Sequence, residues 1–226
     1  MRGAMATLRY FGHASFELVF GDTVLFIDPY FASGGERLLP SAVQDVHWVK
    51  RCDIILATHE HFDHLDKEAV TEIVERTYAS VVAPGPALRQ LKIQEKLKVD
   101  VKVGDKFELK GVGIEVVKAV HPQSEYPVGY IVEKDGLRVY HAGDTYEFAG
   151  MADIRCDYAL IPIGGTYTMD MIDAEKAARE IKCRTVIPMH FGTFEKIRDA
   201  NPEAFARSLA GKVNVRVMKF GEQITL

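Results

Sequence analysis

Residues 58–64 read T-H-E-H-F-D-H, placing three histidines and an aspartate within six positions of a chain that owns only eight histidines. In an extended or turning segment, side chains two apart point to the same side. His59 and His61 are therefore expected to face one metal ion together. Asp63 and His64 begin the turn into a following helix and can face a second ion. Glu60 and Phe62 should point away, Phe62 into the core.

Other apolar runs end in the same way. I-I-L-A-T-H closes on His59, E-V-V-K-A-V-H on His121, V-Y-H-A-G-D on Asp144, T-V-I-P-M-H on His190 and T-V-L-F-I-D on Asp28. If these runs are neighbouring strands, their ends share one rim. That rim would gather seven candidate ligands: His59, His61, His121, Asp63, His64, Asp144 and His190. The expected division gives His59, His61 and His121 to one ion and Asp63, His64 and His190 to the other, with Asp144 between them. Two divalent ions, two carboxylates and a bridging hydroxide leave a net charge of about +1, which suits an anionic substrate or an oxyanion. The ions would lower the pKa of a shared water from 15.7 towards roughly 7. H-x-H-x-D-H arises by chance in roughly one such chain per thousand, so the motif alone is a hypothesis. The further candidates at separate strand ends are what chance does not explain.

The rest of the chain narrows the classes. Its 226 residues suit a single domain over 1–226, with 47% hydrophobic and 27% charged residues. A formal net charge of −4 gives no reason to expect nucleic acid or an anionic membrane as partner. The lysines between Arg89 and Lys110 alternate with Glu95, Asp100, Asp105 and Glu108, as on a solvated face. No apolar run approaches the ~20 residues of a membrane helix, and the N-terminus lacks a signal-peptide core, with Met5 an alternative start. Cys52, Cys156 and Cys183 are odd in number and without C-x-x-C spacing, which suggests small core residues in a reducing cytoplasm. Asparagine occurs only at Asn201 and Asn214, a weak sign of a heat-adapted source.

Alternating runs predict strands at Leu8–Phe11, Ser15–Phe20 and Thr23–Ile27, with Gly21-Asp22 turning the last two into a hairpin. A helix carrying Ala69, Val70, Ile73 and Val74 should follow the histidines, and another should start near Pro86 and carry Leu88, Leu91 and Ile93. Strands are expected at 99–103, 106–109, 112–120, 128–133 and 137–140, with Asp135-Gly136 between the last pair. The final third alternates: strand 158–163, helix 173–181 capped by Asp173, strand 185–189, helix 202–209 opened by Pro202, and strand 213–220. Many strands with few helices suggest an α/β (α+β) architecture of sheet on sheet with helices outside, a four-layer sandwich.

The ordered motifs G-H-A-S-F, F-I-D-P-Y, T-H-E-H-F-D-H, A-V-H, H-A-G-D-T, I-P-I-G-G and I-P-M-H-F-G-T-F resemble the metallo-β-lactamase superfamily along nearly the whole chain. The set looks most like the metal-dependent hydrolase branch that includes ascorbate-6-phosphate lactonases and N-acylphosphatidylethanolamine phospholipase D. The resemblance implies an αββα sandwich and a dinuclear site with the ligand division given above. The diiron flavoproteins place a glutamate where His61 stands, and true β-lactamases of this fold commonly place cysteine at the position of Asp144, so neither activity is favoured. The chain is also too short for the cap domain of the RNA-processing nucleases.

The expected function is thus a hydrolase in which a hydroxide bridging two metals cleaves an ester, lactone or phosphodiester bond of a small anionic molecule. Zn2+ is the first choice of ion, with Mn2+, Fe2+ or Ni2+ open. Asp63 and His190 should matter most for activity. Two other classes stay open: a redox enzyme with one iron, and a non-catalytic metal-binding module; so does a homo-oligomeric state. Asp28 is expected to accept the free N–H of a metal-bound histidine. His13 either lines the pocket or buttresses the site, and His141 should be structural. Gly164 and Gly165 would let backbone N–H groups approach an anion. The segment 30–48, with Gly34-Gly35, is expected to shape the mouth of the site, with His47 and Trp48 as packing residues.

Overall fold

The first three strands follow from alternation. Ala6–Gly12 (β1), Ser15–Phe20 (β2) and Thr23–Ile27 (β3) alternate buried and half-buried side chains along part of their length and are buried on both faces at one end. They pair antiparallel with Leu8 opposite Leu18 and Leu18 opposite Leu25. Next come the short apolar strands Ile54–Leu56 (β4) and Ser80–Ala83 (β5) and the more polar edge strand Lys98–Asp100 (β6), which add in parallel. The helix Lys67–Thr77 (α1) makes the crossover from β4 to β5, and its Asp66 cap accepts from the Ala69 N–H. Its Ala69, Val70, Ile73 and Val74 pack on the outer face of this sheet with Phe11, Phe26, Ile55 and Val81. A short helix, Gly85–Leu88 (α2), follows β5.

The second sheet is built from Lys106–Leu109 (β7), Val112–Lys118 (β8), Val128–Lys134 (β9) and Leu137–His141 (β10), paired antiparallel in chain order. Asp135 and Gly136 both take positive φ, 52° and 80°, which is the mirror-image turn that a two-residue hairpin requires. Arg155–Pro162 (β11) and Lys182–Met189 (β12) then add in parallel, joined across the helix Met171–Glu180 (α3). The helix Pro202–Ser208 (α4) precedes the final strand Gln223–Thr225 (β13), which returns to the first sheet beside β1.

The structure, a computed structural model, describes residues 6–31, 45–197 and 199–226. It holds a seven-stranded sheet in the order β13-β1-β2-β3-β4-β5-β6 and a six-stranded sheet in the order β12-β11-β10-β9-β8-β7. The larger core lies between them, joining Leu8, Phe16, Leu25 and Leu56 of the first to Ile114, Tyr130, Leu160 and Ile187 of the second. With α1 outside one sheet and the alanine face of α3 against the other, the expected αββα order of layers is present. Among the described residues, no helix is long and apolar enough to cross a membrane. Met1, Met5 and Gly34-Gly35 lie outside the described residues.

Several expectations need correction. The strand β5 was not anticipated. The helix near Pro86 stops at Leu88, so Leu91 and Ile93 lie beyond it, and the strand expected at 99–103 is only Lys98–Asp100. Asp170, rather than Asp173, caps α3, accepting from the N–H groups of Ile172 and Asp173. The strand expected at 213–220 is reduced to one bridge between Val186 and Val215. Val186 donates to Asn214 and accepts from Arg216, so the next donor on that edge of β12 would be residue 188. That residue is proline, which has no N–H to give, and the ladder stops there. Cys156 and Cys183 are half-buried rather than core residues, and they stand opposite each other across β11 and β12.

Candidate metal centre

The ends of β3, β4, β8, β10 and β12 and the turn between β1 and β2 all open on one edge of the sandwich. This brings Asp28, His59, His121, Asp144, His190 and His13 to the loop His59–His64. Three of these residues, His13, Asp28 and His190, sit in the left-handed region at φ 57°, 46° and 59°. Non-glycine residues there cost roughly 1–3 kcal/mol each and persist only where their surroundings hold them. For His190 the hold is visible, since its N–H donates to the His13 carbonyl at 2.7 Å. Gly143 makes the bend that delivers Asp144, at φ 62°, with a Cβ there reaching 2.9 Å from Thr58.

Two sets of donors result. His59 Nε2 lies 3.0 Å and His121 Nε2 lies 3.3 Å from His61 Nδ1. The second set is His13, Asp63, His64 and His190, whose ligand-capable atoms lie within 4.8 Å of one another. Asp144 reaches toward both, with Oδ1 3.2 Å from His64 Nε2 and 3.2 Å from His190 Nε2, and it groups with His59 and His64 as well.

The opposite ring nitrogens are already engaged. His61 Nε2–H donates to the Gln123 carbonyl at 3.1 Å and His121 Nδ1–H to the Tyr167 carbonyl at 3.1 Å. Thr58 gives its hydroxyl proton to Asp28 Oδ2 at 2.7 Å and so accepts from His59 Nδ1–H at 3.0 Å. His64 Nδ1–H donates to the same Asp28 oxygen at 2.7 Å. With those protons placed, the nitrogens of His59, His61 and His121 that face one another all present lone pairs. Three converging lone pairs repel unless a cation lies among them. Burial sharpens the point: His13 Nδ1 and His190 Nδ1 are buried without a hydrogen-bond partner among the described residues, and His64 Nε2, His190 Nε2 and Asp144 Oδ1 meet only one another, at 3.2 Å and outside hydrogen-bond geometry. Orphaned polar atoms are rare in folded interiors, and five of the seven among the described residues belong to this one group of side chains. The residues present therefore fit a metal centre.

Electrostatics agree. Burial, with the neighbouring imidazoles, holds His59 well below the usual histidine range. Burial and His190 bring His13 down to about 4. Burial opposes the charge of His64, yet the carboxylates of Asp144 and Asp28 draw it well above its ordinary value. Burial likewise opposes the ionisation of Asp63 and Asp144, but His13 and His64 hold the first, and His190 and His64 the second, well below the carboxylate range. A cluster that concentrates anionic charge against imidazoles in a dry interior is one in which a cation can replace a proton.

The seven expected ligands are brought together, and Asp28 takes a histidine N–H. His13 stands nearer than expected, with Nε2 3.1 Å from Asp63 Oδ2 and its ring 4.0 Å from that of His190. Two expectations fail. The Gly165 N–H donates to the Met169 carbonyl at 3.0 Å, so it is not aimed at an anion. Gly164 packs closely, because a Cβ there would fall 2.4 Å from the His190 carbonyl oxygen and 2.9 Å from its Nδ1. Phe62 is 55% exposed rather than in the core. The N–H groups of His64 and Leu65 both bond to the His61 carbonyl, so the chain turns there and strand alternation does not apply. Glu60 does point away, accepting from Ser124 Oγ at 2.9 Å and from the Glu125 N–H at 2.8 Å, which ties the loop after His121 to the motif. His141 is structural, donating to the Ala14 carbonyl and accepting from the Gly143 N–H. His47 pairs with Glu72, and Trp48 packs edge-on to Phe11. The roles of Thr58 and of the Tyr167 carbonyl were missed; the former adjoins the motif, but the latter is a main-chain contact that no side-chain pattern reveals. A cavity of about 610 Å³ adjoins the centre and is lined in part by Asp63 and His190.

Comparison with known proteins gives the lineage. The family model of the beta-lactamase superfamily domain matches residues 7–190. A UPF0173 metal-dependent hydrolase of Pyrococcus abyssi is 37% identical over 236 residues, covering 98% of this chain and 100% of that one. One from Pyrococcus furiosus is 39% identical with the same coverage. Igni18, a metallo hydrolase of Ignicoccus hospitalis, superposes with a TM-score of 0.85 at 34% identity, covering 99% of both chains. The narrower likeness to the lactonases and the phospholipase D rests on the motifs alone. On these matches and this fold, the chain belongs to the metallo-β-lactamase superfamily, among its UPF0173 metal-dependent hydrolases.

Proposed function

We propose that this protein is a dinuclear metal-dependent hydrolase acting on an ester, lactone or phosphodiester bond of a small anionic substrate. The observation that carries the reading is the pair of donor sets with Asp144 reaching between them. His59, His61 and His121 would hold one divalent cation, and Asp63, His64 and His190 the other, Zn2+ being the first candidate for three-histidine and mixed histidine–carboxylate ligation. When bound, such a pair supplies Lewis acidity and a hydroxide available near neutral pH.

The chain's own residues do the rest. Asp28 and Thr58 fix the rings of His64 and His59, so that His64 Nε2 and His59 Nε2 face the centre. His13 steadies Asp63 through its Nε2 and is a positioning residue. Among the described residues two carboxylates, Asp63 and Asp144, belong to the donor sets, so with two divalent ions the site would keep a net positive charge that favours an anion. The free thiols of Cys52, Cys156 and Cys183 support a cytoplasmic setting.

The test is a panel of chromogenic phosphodiesters and lactones with protein reconstituted in Zn2+ or Mn2+. Turnover that requires added metal and is lost in Asp63→Ala and His190→Ala is expected. Full turnover in both variants, or turnover indifferent to chelation, would overturn the proposal.

A further inference from the structure

The cavity beside the metal centre is one-sided. Asp63 and His190 of the second donor set line it, whereas His59, His61 and His121 do not. The rest of its wall is largely apolar, with Phe62, Tyr167, Phe194 and Ile197 enclosing about 610 Å³. Two of these rings are turned outward rather than buried, Phe62 at 55% and Tyr167 at 50% exposure. Two large exposed aromatics lining one cavity are the unusual observation on a folded surface.

These rings are also held. Phe62 meets Phe194 edge-on at 6.1 Å and Tyr30 at 6.1 Å, and Phe194 stands edge-on to His13 at 5.2 Å. Tyr167 takes a left-handed φ of 65°, uncommon for a bulky residue, while its carbonyl secures His121. The backbone strain that fastens a histidine of the first set therefore also projects a ring into the cavity on the side of the second. Lys196, which also lines the cavity, stands 5.8 Å from the centre of that ring.

We infer that the substrate is amphiphilic, carrying a flat, ring-sized apolar group that enters this cleft beside Asp63 and His190 while its polar reacting head meets the metals. The inference rests on the dinuclear reading proposed above. It adds that selectivity resides in Phe62 and Tyr167 rather than in charge alone, since polar ligand sites couple a few placed polar groups to an apolar wall.

The test compares direct binding of phenylphosphonate and methylphosphonate to zinc-loaded protein by calorimetry, with metal content measured on every sample. The two probes share one anionic head, so their ratio reports the cleft. Phenylphosphonate is expected to bind about ten-fold or more tightly, the range in which apolar pockets discriminate. Phe62→Ala should collapse that ratio toward unity with metal content retained. Tyr167→Asn should do the same, asparagine being tolerant of the left-handed backbone. Equal affinity for both probes in the wild-type protein, or a ratio unchanged in both variants, would overturn the assignment of the cleft. Binding of neither probe to metal-replete protein would instead overturn the anion-accepting centre, and the assignment with it.

Discussion

Asp28→Asn removes one charge without changing shape, and its consequence can be followed atom by atom. The carboxylate is fully buried and accepts three short bonds at 2.7 Å, from the Thr58 N–H, the Thr58 hydroxyl and His64 Nδ1–H. The asparagine oxygen can keep the Thr58 N–H. Its amide nitrogen, now facing the hydroxyl and the imidazole, can only donate. The Thr58 hydroxyl then turns its proton toward His59 Nδ1, 3.0 Å away, which moves the His59 proton to Nε2, the atom that faces His61. His64 must accept at Nδ1, so its own proton moves to Nε2, the atom that faces Asp144. That nitrogen then has no lone pair for a cation. Loss of such an orienting partner lowers metal affinity about 10- to 100-fold, or roughly 1.4–2.7 kcal/mol. Asp28→Ala should be worse for folding, because three buried groups lose their acceptor at about 1–3 kcal/mol each. Chelator-competition titration with zinc should show both positions weakened in Asp28→Asn, and nitrogen-15 histidine spectra should show His64 and His59 protonated at Nε2. Native affinity at both positions, with His64 still protonated at Nδ1, would refute the reasoning.

Other consequences are as open to test. Gly164→Ala puts a Cβ within 2.4 Å of the His190 carbonyl, so the β11 end or His190 must move; a destabilisation of about 1–3 kcal/mol by urea unfolding and a loss of turnover are expected. Glu60→Ala frees the Ser124 hydroxyl and the Glu125 N–H, and should weaken metal retention at the His59, His61 and His121 position with little change in melting temperature. In metal-free protein, His13 stays neutral in the fold down to about pH 4, while the unfolded chain takes up a proton near the ordinary histidine value of 6.5. Between those limits the unfolded state binds more protons, so this residue's contribution is present above pH 6.5 and declines on acidification, by up to about 3 kcal/mol. Denaturant midpoints from pH 4 to 7 should therefore fall less steeply in His13→Gln than in the wild type.

Much of the centre was legible because each donor closes an apolar run. His59, His121, Asp144 and His190 end strands whose burial is written in their composition, and strand ends meet on one edge by the nature of a sandwich. The failures share a cause: each depends on what lies across space rather than along the chain. Phe62 was misplaced because the bonds to the His61 carbonyl turn the chain out of strand geometry. The Gly165 N–H is taken by the Met169 carbonyl, a main-chain partner that no side-chain pattern reveals, and the bare backbone of Gly164 answers to His190 on the neighbouring strand. The run S-V-V-A of β5 is too short to announce itself, and the arrest of the strand expected at 213–220 depends on Pro188 of a different strand. Cys156 and Cys183 are distant in sequence and adjacent only through the register of β11 and β12.

The central claim is that two donor sets each hold one cation with Asp144 between them. Anomalous diffraction from crystals of protein loaded with zinc, collected on both sides of the metal absorption edge, addresses it directly. The account predicts two peaks per chain, one among His59, His61 and His121 and one among Asp63, His64 and His190, with Asp144 touching both. A single peak, or well-ordered protein in zinc with neither position filled, would contradict it.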